Sequence, residues 1–397
     1  MPKAMPIDVD RSALQIVSLV KASGELELSV ASFAVPRPGP DEVLLRVEAA
    51  PINPSDLLLL LAGADATKLE ASGTAERPLL TGKVPSTASL ALRLGQAVPA
   101  GNEGAGTVVE AGSSQAAQTL LGKTVSVAPG SGMYAEYRVV RADQCLPLNA
   151  GATAIDGASA YINPLTALGF VEAMRRERHS ALVNTAAASN LGQMLLRICL
   201  KDGIGLVNIV RTPEQVVKLR ELGATHVCDS SAPTFLADLT EAIAATGATI
   251  AFDCLGGGKI GGQILSCMEA AINRKATAYS RYGSSTHKQL YIYGGLDPSP
   301  TEFVRSFGLA WGIGGWLVTP FLFTLEPGRV AALKQRIASE LTTTFASQYT
   351  ERVSLTEALQ LNAVRHYAKK ATGAKYLITP TREADSTDAW RGIPGLA

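Results

Sequence analysis

The sequence predicts an α/β protein of two domains, a compact β-rich barrel or sandwich followed by a doubly wound parallel sheet. Its 397 residues exceed the usual size of one domain. The first third holds short strand-like runs between Gly and Pro punctuators. From about Tyr161 onward, short apolar runs alternate with helix-spaced segments, the pattern of a parallel sheet covered by helices.

The strand-like runs of the first third are Glu42–Ala49, Thr107–Ala111, Thr124–Ala128 and Ala135–Val140. Between them lies Ala62–Ala100, rich in Ala, Gly, Ser, Thr and Leu, which has no clear period and reads as an inserted loop or lid. In the second part, Leu165–Arg176 has helical spacing and Ser180–Asn184 is a buried strand. Leu191, Met194, Leu195, Ile198 and Cys199 then recur at helix spacing, closed by Gly203 and Gly205. Strand Leu206–Val210, helix Pro213–Leu222, strand His226–Cys228, helix Thr234–Ala245 and strand Thr249–Cys254 continue the alternation. Gln289–Tyr293 is the last strand of the series and the candidate sheet edge. Helix returns beyond Gly328, and Ala374–Thr379 is a final strand. The domain reading is 1–160, 161–320 and a segment 321–397 returning to the first domain, with Met1–Ser12 and Thr381–Ala397 as exposed tails.

Composition narrows the function. The chain is 47% hydrophobic and 18% charged, with 36 basic against 35 acidic side chains. That balance gives no electrostatic footprint for nucleic acid or an anionic membrane and favours a small substrate. The cysteines Cys145, Cys199, Cys228, Cys254 and Cys267 are odd in number and dispersed, which argues against a disulfide framework and for the cytoplasm. Ser306–Leu325 carries no charged side chain and is long enough to span a bilayer, but its Gly and Pro content favours a buried or subunit-interface segment.

The chemistry-bearing feature is the turn after strand Ala181–Asn184, Thr185-Ala-Ala-Ala-Ser-Asn-Leu-Gly192, which runs into a helix. Counted back from Gly192, the G-x-G-x-x-G spacing of dinucleotide-binding turns falls on Ala187, Ser189 and Gly192. Small residues there let backbone N–H groups approach a pyrophosphate at the helix N-terminus. The next strand ends in Val210-Arg211, where NAD-binding folds usually place a carboxylate for the ribose 2′-hydroxyl. An arginine there suits a 2′-phosphate, so the expected cofactor is NADPH. Asp253-Cys-Leu-Gly-Gly-Gly258 and Tyr293-Gly-Gly295 place small residues at the carboxyl ends of later strands, where open α/β sheets bind ligands.

Beyond this turn, the chain carries Ile52-Asn-Pro-Ser-Asp56, Gly101-Asn-Glu-Gly-Ala-Gly106, Gly132-Met-Tyr-Ala-Glu-Tyr137, Asn163-Pro-Leu-Thr-Ala167, Leu222-Gly-Ala224 and Phe252-Asp-Cys-Leu-Gly256. In this order and spacing they resemble the medium-chain dehydrogenase/reductase superfamily, specifically its zinc-free quinone oxidoreductase and enoyl reductase branches. The resemblance implies a GroES-like β-barrel domain plus a Rossmann domain. Where zinc members carry Cys and Gly-His-Glu, this chain has Asn53-Pro-Ser and Gly101-Asn102-Glu103, so no metal is expected. His179, His226, His287 and His366 stand isolated from ligand partners in sequence.

The resemblance also implies site residues. Thr166 is expected at the nicotinamide ribose or carboxamide, Ala188, Ser189, Asn190 and Leu191 at the pyrophosphate, and Arg211 at the 2′-phosphate. Asn53, Cys254, Leu255, Gly256, Tyr293, Gly294 and Gly295 are expected around the nicotinamide end, with Lys375 brought near by the returning segment. Related enoyl-thioester reductases carry a catalytic tyrosine about eight residues past Ser-Asp; here Gly63–Asp65 occupy that place. Tyr134 is the remaining phenol, in a Gly-x-Gly-x-Tyr loop expected to face the cleft, but a strand-edge structural role is the favoured reading, so the catalytic residue is left unassigned. The expected function is metal-free hydride transfer from NADPH to a quinone or α,β-unsaturated carbonyl, in a homodimer paired through Rossmann edge strands. Enoyl-thioester reduction and a non-enzymatic NADPH-binding role are the alternatives.

Overall fold

The computed structural model describes residues 7–370 and 375–380, arranged as two compact units. The first contains residues up to Ser159 and from Tyr349 onward; the second is Ala160–Gln348. The expected C-terminal tail lies outside the described residues.

The first unit opens with β1 (Ile7–Val20), β2 (Glu25–Pro36) and β3 (Glu42–Pro51). Alternation in β2 buries Leu26 and Leu28 while Glu25 and Glu27 face outward, as a one-sided sheet requires. The short helix α1 (Asp56–Leu61) follows, then β4 (Glu70–Gly73), β5 (Pro78–Lys83) and β6 (Ala97–Pro99). Next come β7 (Gly104–Ala111), helix α2 (Gln115–Gln118), β8 (Thr124–Val127), β9 (Tyr137–Arg141), β10 (Leu146–Pro147) and helix α3 (Ala154–Gly157). One sheet has the order β4-β5-β2-β1-β6.

Two expectations change here. Ala62–Ala100 is not a loop: it supplies three strands of that sheet, Leu80 pairing with Leu28 at the β5–β2 contact. Leu69 and Leu80 anchor the segment in the core, a tertiary pairing that the mixed Ala/Ser/Thr composition concealed. Residues from Ile7 to Ser12 likewise belong to β1 rather than to a tail.

The second unit begins with helix α4 (Ile162–Arg176) and then alternates strand and helix. These are β11 (Ala181–Asn184), α5 (Asn190–Asp202), β12 (Gly205–Val210), α6 (Pro213–Glu221) and β13 (His226–Asp229). They continue with α7 (Phe235–Thr246), β14 (Ile250–Asp253), α8 (Ile260–Asn273) and β15 (Lys288–Ile292). β16 (Trp311–Gly315), α9 (Val318–Phe323) and α10 (Pro327–Ser339) complete the unit. The strands form an all-parallel sheet ordered β13-β12-β11-β14-β15-β16, a doubly wound sheet whose direction of winding reverses between β11 and β14. All four residues of β11 and of β14 are buried, as expected for strands covered on both faces.

The edge strand differs from expectation. Gln289–Tyr293 corresponds to β15, which lies inside the sheet, and the edge is β16. Gly312, Gly314 and Gly315 lower the strand propensity of β16, and pairing with β15 overrides it. The uncharged stretch Ser306–Leu325 is this edge strand plus a short helix. Among the described residues, no helix is long and apolar enough to cross a membrane.

The chain rejoins the first unit at Tyr349 rather than near residue 321, because α10 packs on α4 within the second unit. β17 (Glu351–Val353), α11 (Leu355–Ala358), α12 (Leu361–Tyr367) and β18 (Tyr376–Ile378) follow. β18 pairs with β3, completing a sheet that runs β10-β8-β7-β3-β18-β17, with β9 also on β3.

Candidate functional site

In the second unit the turn from β11 into α5 forms a compact N-terminal cradle. Ser189 is the N-cap residue, and its hydroxyl accepts the Gly192 N–H at 3.2 Å. That leaves the first-turn N–H groups of Asn190 and Leu191 ahead of the intrahelical ladder, where helices bind anions. A Cβ on Gly192 would lie 2.2 Å from the Ala187 carbonyl oxygen, so the turn tolerates only glycine there. Ala186, not Ala187, adopts the left-handed conformation with φ 47°, a backbone that glycine normally supplies. Asn190 also donates to Ser347 at 3.1 Å, and Ala188 is buried beneath the turn. Arg211 is exposed at the carboxyl end of β12, its backbone N–H held by the Gln215 side chain at 3.0 Å.

The neighbouring strand ends are tied together by residues that local sequence reasoning missed. Thr185 donates to Asp253 at 2.8 Å and accepts the Cys254 N–H at 3.0 Å. The Leu255 and Gly256 N–H groups donate to the same carboxylate at 3.0 and 3.2 Å. Burial raises the Asp253 pKa, opposed by Thr185 and these N–H groups. A Cβ on Gly256 would meet the Gly294 carbonyl oxygen at 2.6 Å, and one on Gly294 would meet the Cys254 carbonyl oxygen at 2.7 Å. The two glycine tips therefore exist because the β14 and β15 ends touch. Gly295 faces open space, and Tyr293 packs edge-on against Phe170 with centroids 4.8 Å apart. Thr166 is buried, its hydroxyl donating to the Ile162 carbonyl at 2.6 Å within α4. Cradle, Arg211 and glycine tips thus gather along the carboxyl edge of one sheet.

Asn53 and Lys375 belong to the first unit, where a separate polar cluster is buried. Asn53 Nδ2 donates to Glu103 at 2.8 Å, with both residues at most 4% exposed. Asp56, 1% exposed, accepts the N–H groups of Asn53 and Asn102, each at 2.8 Å. Burial pushes the Asp56 carboxyl up to about 7, against those two N–H groups and with Glu103 adding repulsion. Asn102 Nδ2 donates to the Ser55 hydroxyl at 3.3 Å. Amides thus stand at both positions where zinc members carry thiolate and imidazole, and neutral amides are poor zinc ligands.

Tyr134 does not face a cleft. It is fully buried, donates to the Pro51 carbonyl at 3.0 Å, and burial raises its pKa well above the ordinary phenol value. Its place is structural: a Cβ on Gly101 would lie 2.5 Å from the Tyr134 ring. Lys375 donates from Nζ to Ser159 at 2.7 Å. His179 hydrogen-bonds Thr249 at 2.7 Å and lies 4.0 Å from Glu177, while His366 hydrogen-bonds Tyr376 at 2.8 Å.

Comparison with known proteins matches residues 39–150 to the alcohol dehydrogenase GroES-like domain. A mitochondrial enoyl-(acyl-carrier-protein) reductase of Xenopus tropicalis is 27% identical over 205 residues, 50% of this chain and 51% of that one. The chain thus spans about half the length of the curated relatives it matches. A Mesorhizobium loti structure assigned as an NADPH:quinone reductase superposes with TM-score 0.70 and 26% identity, covering 95% of this chain and 100% of that one. The Escherichia coli quinone oxidoreductase complexed with NADPH superposes with TM-score 0.63 at 17% identity, over 93% of this chain and 100% of that one, and shares the fold. The chain thus carries a GroES-like domain over residues 39–150, and over nearly its whole length it is similar in fold to a structure assigned as an NADPH:quinone reductase, as the medium-chain dehydrogenase/reductase resemblance implies.

Proposed function

We propose that the protein is an NADPH-dependent, zinc-independent reductase of quinones or α,β-unsaturated carbonyls. The observation that carries this reading is the β11–α5 cradle with Arg211 at the end of the adjacent strand. Asn190 and Leu191 N–H groups would hold the pyrophosphate, Gly192 lets the backbone approach it, and Arg211 would pair with the 2′-phosphate. Bound NADPH supplies a hydride. The Thr185–Asp253 tie fixes the glycine tips against which the nicotinamide end would rest. With Asn53 and Asn102 in place of metal ligands, no Lewis acid polarises an alcohol. A conjugated acceptor spreads its developing charge onto oxygen, where hydrogen bonds and one proton suffice.

Enoyl-thioester reduction is the second reading, favoured by the curated relatives that match half the chain. Turnover of crotonyl-CoA faster than of any quinone would select it. Five free cysteines among the described residues agree with a cytoplasmic location. A homodimer would form through β16, whose Ile313 and following Leu317 and Phe323 are exposed; sedimentation giving a monomer mass would refute it.

The cofactor assignment is tested by titrating NADPH and NADH into wild type and Arg211→Asp. We expect NADPH to bind wild type at least tenfold more tightly than NADH, and the preference to vanish or reverse in the variant. An unchanged preference would remove Arg211 from the site.

A further inference from the structure

We propose that Ser347 is a positioning residue of the dinucleotide cradle, acting through the side chain of Asn190. The proposal deepens the cofactor reading above and rests on it.

The cradle carries a residue that can block it. Asn190 is the first residue of α5, directly after the N-cap Ser189. Among the described residues no acceptor meets the Asn190 and Leu191 N–H groups, the state an incoming pyrophosphate needs. An asparagine at a helix start, however, readily turns its own amide oxygen onto neighbouring backbone N–H groups. Such a self-cap would occupy the donors that the phosphate oxygens require. A glycine there would carry no competing group, so this cradle needs something that holds the Asn190 amide.

Ser347 supplies the hold. Asn190 Nδ2 donates to Ser347 Oγ at 3.1 Å, across 157 positions of sequence. Ser347 is itself kept in place by the same helix. About two turns further along that face of α5, Arg197 Nη1 donates to the carbonyls of Thr344 and Ala346 at 3.4 and 3.3 Å. Thr344 and Phe345 are buried, which anchors the stretch that carries Ser347. All of these residues lie within the second unit, in its last stretch before the chain returns to the first at Tyr349.

The first turn of α5 is therefore ordered from outside as well as from within. Ser189 caps Gly192, Gln193 Nε2 donates to the Ala188 carbonyl at 2.8 Å, and Ser347 holds Asn190. A turn that is already ordered loses less freedom when a phosphate docks on it. The coupling is mutual: Ser347 tightens dinucleotide binding, and bound dinucleotide steadies the stretch 344–347. NADPH and NADH carry the same pyrophosphate, so Ser347 acts on both alike, whereas Arg211 separates them by the 2′-phosphate.

The test uses the full chain. NADPH and NADH are titrated, by nicotinamide fluorescence, into wild type, Ser347→Ala, Asn190→Gly and the double variant. We expect Ser347→Ala to weaken both dinucleotides about five- to tenfold, as one lost hydrogen bond would, with their ratio unchanged. In Asn190→Gly there is no amide to hold, so adding Ser347→Ala should change the affinity less than about twofold. A purely structural role for Ser347 would instead cost the same in both backgrounds. Hydrogen exchange gives an independent readout: NADPH should slow amide exchange across 344–348 in wild type, and Asn190→Gly should remove that slowing.

Ser347→Ala binding both dinucleotides as wild type does would overturn the proposal and leave the cofactor reading intact. So would an equal loss with Asn190 and with Asn190→Gly, a loss confined to NADPH, or exchange across 344–348 that NADPH leaves unchanged. A wild-type protein that binds neither NADPH nor NADH would overturn the cofactor reading, and the positioning role with it.

Discussion

Each unit buries a cluster of charged side chains, but the two clusters are balanced in opposite ways. In the second unit, Glu269 on α8 meets Lys288 on β15 at 2.6 Å, with side chains 5% and 0% exposed. Ser284 adds a backbone N–H at 2.7 Å and a hydroxyl at 2.6 Å to the same carboxylate. Burial alone would raise the Glu269 pKa, yet Lys288 and Ser284 outweigh it and bring it to about 2. One charge meets one countercharge and every oxygen is served. In the first unit, Asp56 and Glu103 are buried acids whose charge reaches the partly buried Lys375, and burial pushes Asp56 up to about 7 and Lys375 down to about 8. The first is a pair whose charges offset each other, whereas in the second burial outweighs the favourable contacts and moves Asp56 and Lys375 toward neutrality.

That contrast can be broken at either end. The largest effect is expected from Glu269→Gln, which strands a fully buried ammonium and should destabilise the second unit by about 3–5 kcal/mol in urea unfolding. The wild-type contribution is present above the ordinary glutamate pKa and fades as pH falls from there toward 2. A loss under 1 kcal/mol would show the pair to be dispensable.

Asp56→Asn should act more weakly and with the opposite pH trend. Folded Asp56 keeps its proton up to about 7, while the unfolded chain releases it near pH 4. Folding therefore binds a proton in that window, and wild-type stability declines as pH rises through it. The variant loses one N–H acceptor but is free of this penalty, because an amide does not ionise, so its deficit against wild type should shrink between pH 5 and pH 8. A deficit constant across that range would mean Asp56 is ionised throughout.

The two regions also differ in how much of them can be read along the chain. The cradle is local: strand, small-residue turn and amphipathic helix are contiguous, and Ser189, Gly192 and Arg211 stand where the dinucleotide spacing puts them. Even there, counting assigned the first glycine position to Ala187, while the left-handed backbone falls on Ala186, because the turn is one residue longer than the motif. The first-unit cluster draws on Asn53, Asp56, Glu103, Ser159, Tyr349 and Lys375, and only the fold brings them together. No spacing rule links Ser159 to Lys375 across 216 positions. Tyr134 takes the structural role favoured for it, and Gly101 is a glycine so that the ring can pack against it, a contact that no local spacing reveals. The edge strand was hidden likewise, since glycines in β16 mask a strand that pairing with β15 determines.

The central claim is metal-free hydride transfer from NADPH. It is tested most directly by mixing the protein, treated with a metal chelator, with NADPH and a panel of quinones and enones while following nicotinamide absorbance. The account predicts that at least one acceptor is reduced, at a rate the chelator does not change. Tight NADPH binding with no oxidation by any acceptor would contradict it, as would activity that disappears with chelation and returns with zinc.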